Sequence, residues 1–133
     1  FLFTHGDGVG DVNIRNLVEF HKKVGKLTTL TAVRPSGRFG RLGLSQDLVQ
    51  SFKEKPDEGE GWINGGFFVV EEQALSEIGS DSTIWEREPL ERLAEAGQLA
   101  AFRHKGFWEA MDTARDKEHL QALWEQGRAK WLD

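Results

Sequence analysis

Cysteine is absent from the 133 residues. That excludes disulfides and thiolate zinc sites and is compatible with a reducing cytoplasm, the expected location. Long apolar runs are missing as well, so nothing approaches the roughly 20 residues that a membrane-spanning helix needs. Basic charge is in deficit: 17 Lys and Arg against 22 Asp and Glu give a net charge of −5. A nucleic-acid-binding surface is normally basic, so nucleic acid is excluded as the expected partner. No charged-apolar-small succession marks a signal peptide. The chain opens without methionine inside an apolar run, Phe1-Leu2-Phe3, and is expected to be a fragment or processed product.

Several signatures fail on inspection. The run Gly6-Asp7-Gly8-Val9-Gly10-Asp11 has Asp where a dinucleotide fingerprint needs its third glycine. No glycine stands at P-loop distance before a Gly-Lys pair, and no Gly-x-Ser-x-Gly nucleophile elbow occurs. His5, His21, His104 and His119 are scattered, without the i, i+4 spacing of a helical ligand pair. They are expected to be ordinary surface or core residues, and the five tryptophans mostly core or interface.

What is present alternates between strand and helix. Residues 1–3 read as a buried strand that stops at the turn Gly6-Asp7-Gly8. Asp11 or Asn13 caps a helix with the apolar stripe Ile14, Leu17, Val18 and Val24, and Gly25 ends it. Residues 27–33 are β-branched and apolar without clean alternation, as in a strand covered on both faces. This is a βαβ unit, so its two strands should run parallel.

Residues 38–44 and 48–55 read as a hairpin turning at 45–47, and residues 57–61 as a mobile acidic loop. Residues 62–70 form a strand interrupted at Gly65-Gly66, followed by a short helix over 71–78. Thr83 and Glu86 form a capping box for a helix reaching Ala96, with Pro89 early in it. Two short strands, 99–103 and 106–111, precede a last helix over 114–126 whose inner face carries Leu120, Leu123 and Trp124. With no linker or repeat, residues 1–133 are expected to form one α/β domain with a mixed sheet.

Four stretches carry candidate chemistry. Asp7 sits where an apolar strand ends, the usual ligand position in open α/β sheets, between glycines that let a phosphate approach the backbone; taken alone, the tripeptide is better explained as a plain Asp-Gly turn. Asp112 follows a strand and precedes a helix, where it or Thr113, with Asp116, would serve as a cap. Were the two carboxylates about 4 Å apart, they would repel by ~1 kcal/mol in water and ~4 kcal/mol near a protein surface unless a cation lay between them. Two carboxylates with phosphates and waters are the common setting for Mg²⁺. Lys55 ends the stretch Phe52-Lys53-Glu54-Lys55-Pro56, as a phosphate partner or as charge defending an edge strand. Asn64 beside Gly65-Gly66 would bond sugar hydroxyls or sit at a β-bulge.

The order of these stretches, Gly6-Asp7-Gly8, Phe52-Lys53-Glu54-Lys55-Pro56, Asn64-Gly65-Gly66 and Met111-Asp112-Thr113, resembles the sugar-1-phosphate nucleotidyltransferases along essentially the whole chain. Arg38-Phe39-Gly40, the run Trp85-Glu86-Arg87-Glu88-Pro89-Leu90-Glu91-Arg92-Leu93, and Gly106-Phe107-Trp108 resemble the glucose-1-phosphate cytidylyltransferase branch. The resemblance implies the C-terminal half of a Rossmann-like nucleotidyltransferase fold. It implies Asp7 and Asp112 as Mg²⁺ ligands, and Lys55 as the holder of the sugar phosphate. Gly6, Glu54, Asn64 and Gly65 would then line the substrate pocket. The implied substrates of the intact protein are CTP and glucose 1-phosphate, and the products CDP-glucose and pyrophosphate. The family's Gly-x-Gly-Thr-Arg nucleotide loop is not matched, so this chain alone is expected to turn over little or not at all. A nucleotidyltransferase for another base or sugar, or a non-catalytic sugar-phosphate-binding or assembly domain, are the competing readings. An exposed first strand implies self-association or pairing with the missing N-terminal half.

Overall fold

The computed structural model describes residues 1–35, 40–45, 47–56 and 61–132, with side chains for 1–35, 47–49 and 61–132. Its strands are β1 (Leu2–Thr4), β2 (Gly8–Gly10), β3 (Thr28–Val33), β4 (Gly40–Ser45), β5 (Leu48–Pro56), β6 (Ile63–Val70), β7 (Leu99–Arg103) and β8 (Trp108–Ala110). Its helices are α1 (Ile14–Val24), α2 (Glu88–Glu95) and α3 (Ala114–Glu125), with a 3₁₀ segment over Glu72–Glu77. A six-stranded sheet has the order β1-β6-β3-β7-β5-β4, and β2 pairs with β8 in a small second sheet. The mixed α/β architecture is the expected one.

Local sequence accounts for α1 and β3. The Asn13 side chain accepts from Asn16 N at 3.0 Å, and Gly25 ends the helix at φ +66°. A left-handed position costs glycine little. Asn13 is the cap; the Asp11 carboxylate instead lies 3.0 Å from His104 Nε2. Every residue of β3 is buried. Leu30 and Ala32 join Phe68, Val70, Leu90, Leu93 and Leu99 in the core under α2. Thr29 points the other way, toward α1, where its hydroxyl pairs with the buried His21 ring at 2.7 Å. His21 also reaches Glu71 at 2.7 Å, so a buried polar ring is satisfied from two sides.

Long-range order departs from the simplest βαβ reading. Strands β1 and β3 do run the same way, but β6 lies between them, antiparallel to both. The direct parallel neighbour of β3 is β7. Strand β6 also passes through Gly65-Gly66 without interruption. The two glycines form a bulge: Leu30 pairs with Phe68 but Ala32 pairs with Asn64, and Gly66 has φ +82°.

Other expectations need correction. The first strand is not buried: Phe1, Leu2 and Phe3 are 61%, 53% and 39% exposed, because β1 is an edge strand with a neighbour on one side only. Thr83 and Glu86 make no capping box, since Thr83 accepts from Ser80 N and α2 starts at Glu88 without a side-chain cap. Pro89 explains the shift. It is tolerated in a helix's first turn, whereas a helix begun at Thr83 would place it inside, against a carbonyl four residues back. In α3 only Leu120 is buried, and Trp124 is exposed at its C-terminal end. The hairpin forms as β4 and β5, while residues 36–39, turn residue 46 and loop residues 57–60 lie outside the described residues.

Among the described glycines of the sheet strands, Gly66 has a positive φ, at +82°. A Cβ there would lie 2.8 Å from His5 Nδ1, on a backbone that L side chains rarely adopt. Gly66→Ala should therefore destabilise the chain by at least about 1–3 kcal/mol, measured by urea unfolding followed by circular dichroism.

Candidate active site

Asp7 and Asp112 come from opposite ends of the chain, and a two-stranded ladder brings them together. Gly8 pairs with Ala110, Val9 with Glu109 and Gly10 with Trp108. Hydrogen bonding continues one step past the strands, from Met111 N–H to the Asp7 carbonyl at 2.7 Å. Asp7 thus faces Met111, and Asp112 is the next residue along. Both acids are exposed at the carboxyl end of β1.

The competing cap belongs to a neighbour. Thr113 is the N-cap of α3: its hydroxyl accepts from Asp116 N at 3.1 Å. The Asp116 carboxylate returns to the backbone N–H groups of Thr113 and Asp112, at 3.2 and 3.1 Å. The capping box is therefore complete without the Asp112 carboxylate.

Trp108 ties the small ladder to the main sheet. Its indole N–H donates to Gly65 O at 2.9 Å. Gly8 and Gly10 lie against the same ring, so a Cβ at either position would approach it to 3.4 or 3.1 Å. Gly65 is glycine for packing, since a Cβ would lie 2.8 Å from Val33 and 3.1 Å from Thr31 O. Asn64 Oδ1 accepts from Gly66 N at 2.9 Å, bracing the bulge. Its amide hydrogens are left as the donors it could offer a hydroxyl. Gly6 borders open space, with no heavy atom within 4 Å of a built Cβ.

Beside this assembly, a cleft of about 260 Å³ opens at the carboxyl ends of β3 and β7, lined by Arg34, Trp62, His104, Lys105 and Trp108 among others. That is where ligands sit in open α/β sheets. The Arg34 and Arg103 guanidinium groups lie 5.5 and 6.0 Å from the Trp62 ring centre, within cation–π range. Glu54 and Lys55 belong to β5, but their side chains lie outside the described residues. Among the described residues, strand β5 meets β7 at the pair Leu48↔Ala100, which does not fix residues 54 and 55 against Asp7.

His5 and Glu86 carry more than a sequence reading assigns them. His5 Nε2 lies 2.5 Å from Glu86 Oε1, both partly shielded from water. The His5 hydrogen bond holds the Glu86 carboxyl below its ordinary value of 4.5, against the opposing effect of burial. Nothing local in the sequence signals a pair so far apart. Trp108 is similar: it stands out in the sequence only through its place in Gly106-Phe107-Trp108.

The sequence profile of the Nucleotidyl transferase family matches residues 1–133. The chain belongs to this family. It is 53% identical over 131 residues to the glucose-1-phosphate cytidylyltransferase of Salmonella typhi, an alignment covering 98% of the chain and 51% of that protein. It is 30% identical over 127 residues to a mannose-1-phosphate guanylyltransferase catalytic subunit beta of Drosophila pseudoobscura pseudoobscura, covering 92% and 34%. The crystal structure of HddC from Yersinia pseudotuberculosis superposes with a TM-score of 0.77 at 19% identity, covering 93% of the chain and 55% of HddC. That likeness establishes the nucleotidyltransferase fold. The chain spans about half the length of the Salmonella relative it matches. No helix among the described residues is long and apolar enough to cross a membrane.

Two measurements check this account. Thr113→Ala should cost about 1 kcal/mol of stability, and Asp112→Asn should cost less than Thr113→Ala; denaturant titration of both decides which residue is the cap. The second concerns acid. Because folding depresses the Glu86 pKa, its contribution to stability is fully present above 4.5 and fades as pH falls through and below it. Glu86→Gln should flatten the decline of melting temperature in that acid range.

Proposed function

We propose that this chain is the metal- and sugar-phosphate-binding half of a nucleotidyltransferase that makes CDP-glucose and pyrophosphate from CTP and glucose 1-phosphate. The observation that carries the proposal is the Met111–Asp7 hydrogen bond, which sets Asp7 opposite the residue before Asp112. The relatives' names supply the substrates. Resemblance to the cytidylyltransferase branch favours cytosine over other bases, and the weaker likeness to the guanylyltransferase leaves the shared chemistry unchanged.

The donor set suits Mg²⁺. Two carboxylates at an open edge leave coordination positions for phosphates and water, as that ion favours. Among the described residues no group of three acids or histidines forms a fuller cage. Asp7 and Asp112 would hold the ion, which when bound supplies charge neutralisation on the triphosphate.

In the reaction, a phosphate oxygen of glucose 1-phosphate attacks the α-phosphorus of CTP. The bond from that phosphorus to the β-phosphate bridging oxygen breaks, and pyrophosphate leaves. Such a transfer needs alignment and charge compensation more than a protein nucleophile. Lys55 would hold the sugar phosphate as a compact cation. Asn64 and Glu54 would bond hydroxyls of the hexose, with Gly6 and Gly65 allowing close approach of the backbone. The exposed β1 edge and the apolar groove formed by Leu2, Phe3, Ile14 and Phe67 would be covered by a nucleotide-binding half carrying the Gly-x-Gly-Thr-Arg loop, or by a second copy. The exposed edge favours an activity completed by a partner element packed against β1.

Pyrophosphate release tests the proposal. The chain joined to the N-terminal half of the Salmonella typhi relative should release pyrophosphate from CTP and glucose 1-phosphate. Asp7→Asn and Asp112→Asn should each lower that rate by about 10²-fold or more, and Lys55→Ala should chiefly raise the KM for glucose 1-phosphate. The chain alone should give no ordinary turnover. A joined protein that binds glucose 1-phosphate but never releases pyrophosphate would favour the non-catalytic binding domain.

A further inference from the structure

We infer that His5, held by Glu86, is a positioning residue for the acidic turn: it fixes where Asp7 projects without itself touching ion or substrate. This rests on the reading of Asp7 and Asp112 as ion ligands.

Gly6 alone spans two anchors, and Asp7 projects from the far one, where its carbonyl accepts from Met111 N–H at 2.7 Å. On the far side, Gly8 enters the ladder with β8 and packs against Trp108 and Gly65. The near side has only β1, an edge strand with one neighbour, and its paired register ends at Thr4↔Phe67. The direction that a Cβ would take at Gly6 is open, so no side chain at that position adds packing to the span. The next tie is His5 N–H to Gly66 O at 2.9 Å, made to the bulged glycine. One backbone bond to a bulge is a weak fixture, and the His5 side chain reinforces it.

The imidazole occupies the space that Gly66 leaves by lacking a Cβ. It packs edge-on against Phe3 and Phe68, with ring centres 5.8 and 5.6 Å away. Its Nε2 reaches Glu86, in the turn before α2. Glu86 is itself well placed: its neighbour Trp85 packs on Phe68 at 6.1 Å, and the Trp85 carbonyl accepts from Leu90 N in the first turn of α2. Absence of a capping box is part of the same arrangement, since the Glu86 carboxylate is turned to His5 rather than to the helix. The pair fastens the near anchor of the turn to a helix on the core side of the sheet. Outer partners that orient metal ligands commonly alter metal affinity by about 10–100-fold when removed.

Mn²⁺ titration of the isotope-labelled chain, followed by paramagnetic broadening of backbone amide signals, tests this without relying on turnover. In the parent, amides at Asp7–Gly8 and Asp112–Thr113 should broaden first. Glu86→Ala should weaken the Mn²⁺ affinity about ten-fold. Glu86→Gln, which keeps an oxygen acceptor for the ring, should restore it to within about three-fold of the parent, as expected when only a hydrogen-bond acceptor is needed. His5→Phe preserves the aromatic packing but not the Nε2 contact and should behave like Glu86→Ala, so one misfolded variant does not spoil the test. If both folded variants bind Mn²⁺ like the parent, the pair is a purely structural clasp and the inference is overturned. If the parent shows no broadening at Asp7 and Asp112, the ion-ligand reading falls and takes the inference with it.

Discussion

One backbone hydrogen bond, from Met111 N–H to the Asp7 carbonyl, sets the arrangement on which everything else depends. It extends the β2–β8 ladder by a single step and sets the backbone of Asp7, near one end of the chain, one residue from Asp112, near the other. Were the Asp7 and Asp112 carboxylates about 4 Å apart, they would repel by about 1 kcal/mol in water and more near protein. A fold that keeps them adjacent gains nothing in stability from their charge. The ladder must impose the proximity, and a divalent ion with bound phosphates would relieve it.

Small residues and one indole hold the ladder in place. Gly8, Gly10 and Gly65 lie close around Trp108, whose N–H is satisfied by the Gly65 carbonyl. A methyl group at Gly10 or Gly65 would meet backbone oxygen at 2.9 or 3.1 Å. These glycines therefore serve packing first, and openness to a ligand second. Gly6 is different, bordered by open space. The same division separates Thr113 from Asp112: one residue caps α3, and the capping box closes without its neighbour's carboxylate.

Much of this was legible in the chain. Asn13, Gly25 and the β-branched run 28–33 announce α1 and β3, because caps and strand propensity act within a few residues. No local rule in the sequence tells that Asp7 lies opposite Met111, one residue from Asp112. Where strand pairing decided the outcome, the sequence was silent. Nothing local tells that β6 inserts between β1 and β3, or that β1 is left as an exposed edge. Thr83 and Glu86 have the spacing of a capping box, yet Pro89 moves the start of α2 and Glu86 is drawn to His5, 81 residues away. Trp124 has the helical spacing of a core residue but no described neighbour to bury it.

The central claim is that Asp7 and Asp112 share one divalent ion next to the sugar phosphate. Anomalous diffraction at the manganese edge, from crystals grown with MnCl₂ and glucose 1-phosphate, tests it most directly. The account requires a single manganese peak bridging the two carboxylates, with the sugar phosphate beside it and the Lys55 ammonium against the phosphate. A manganese peak elsewhere, or a glucose 1-phosphate bound away from the β1 edge with both carboxylates metal-free, would contradict it.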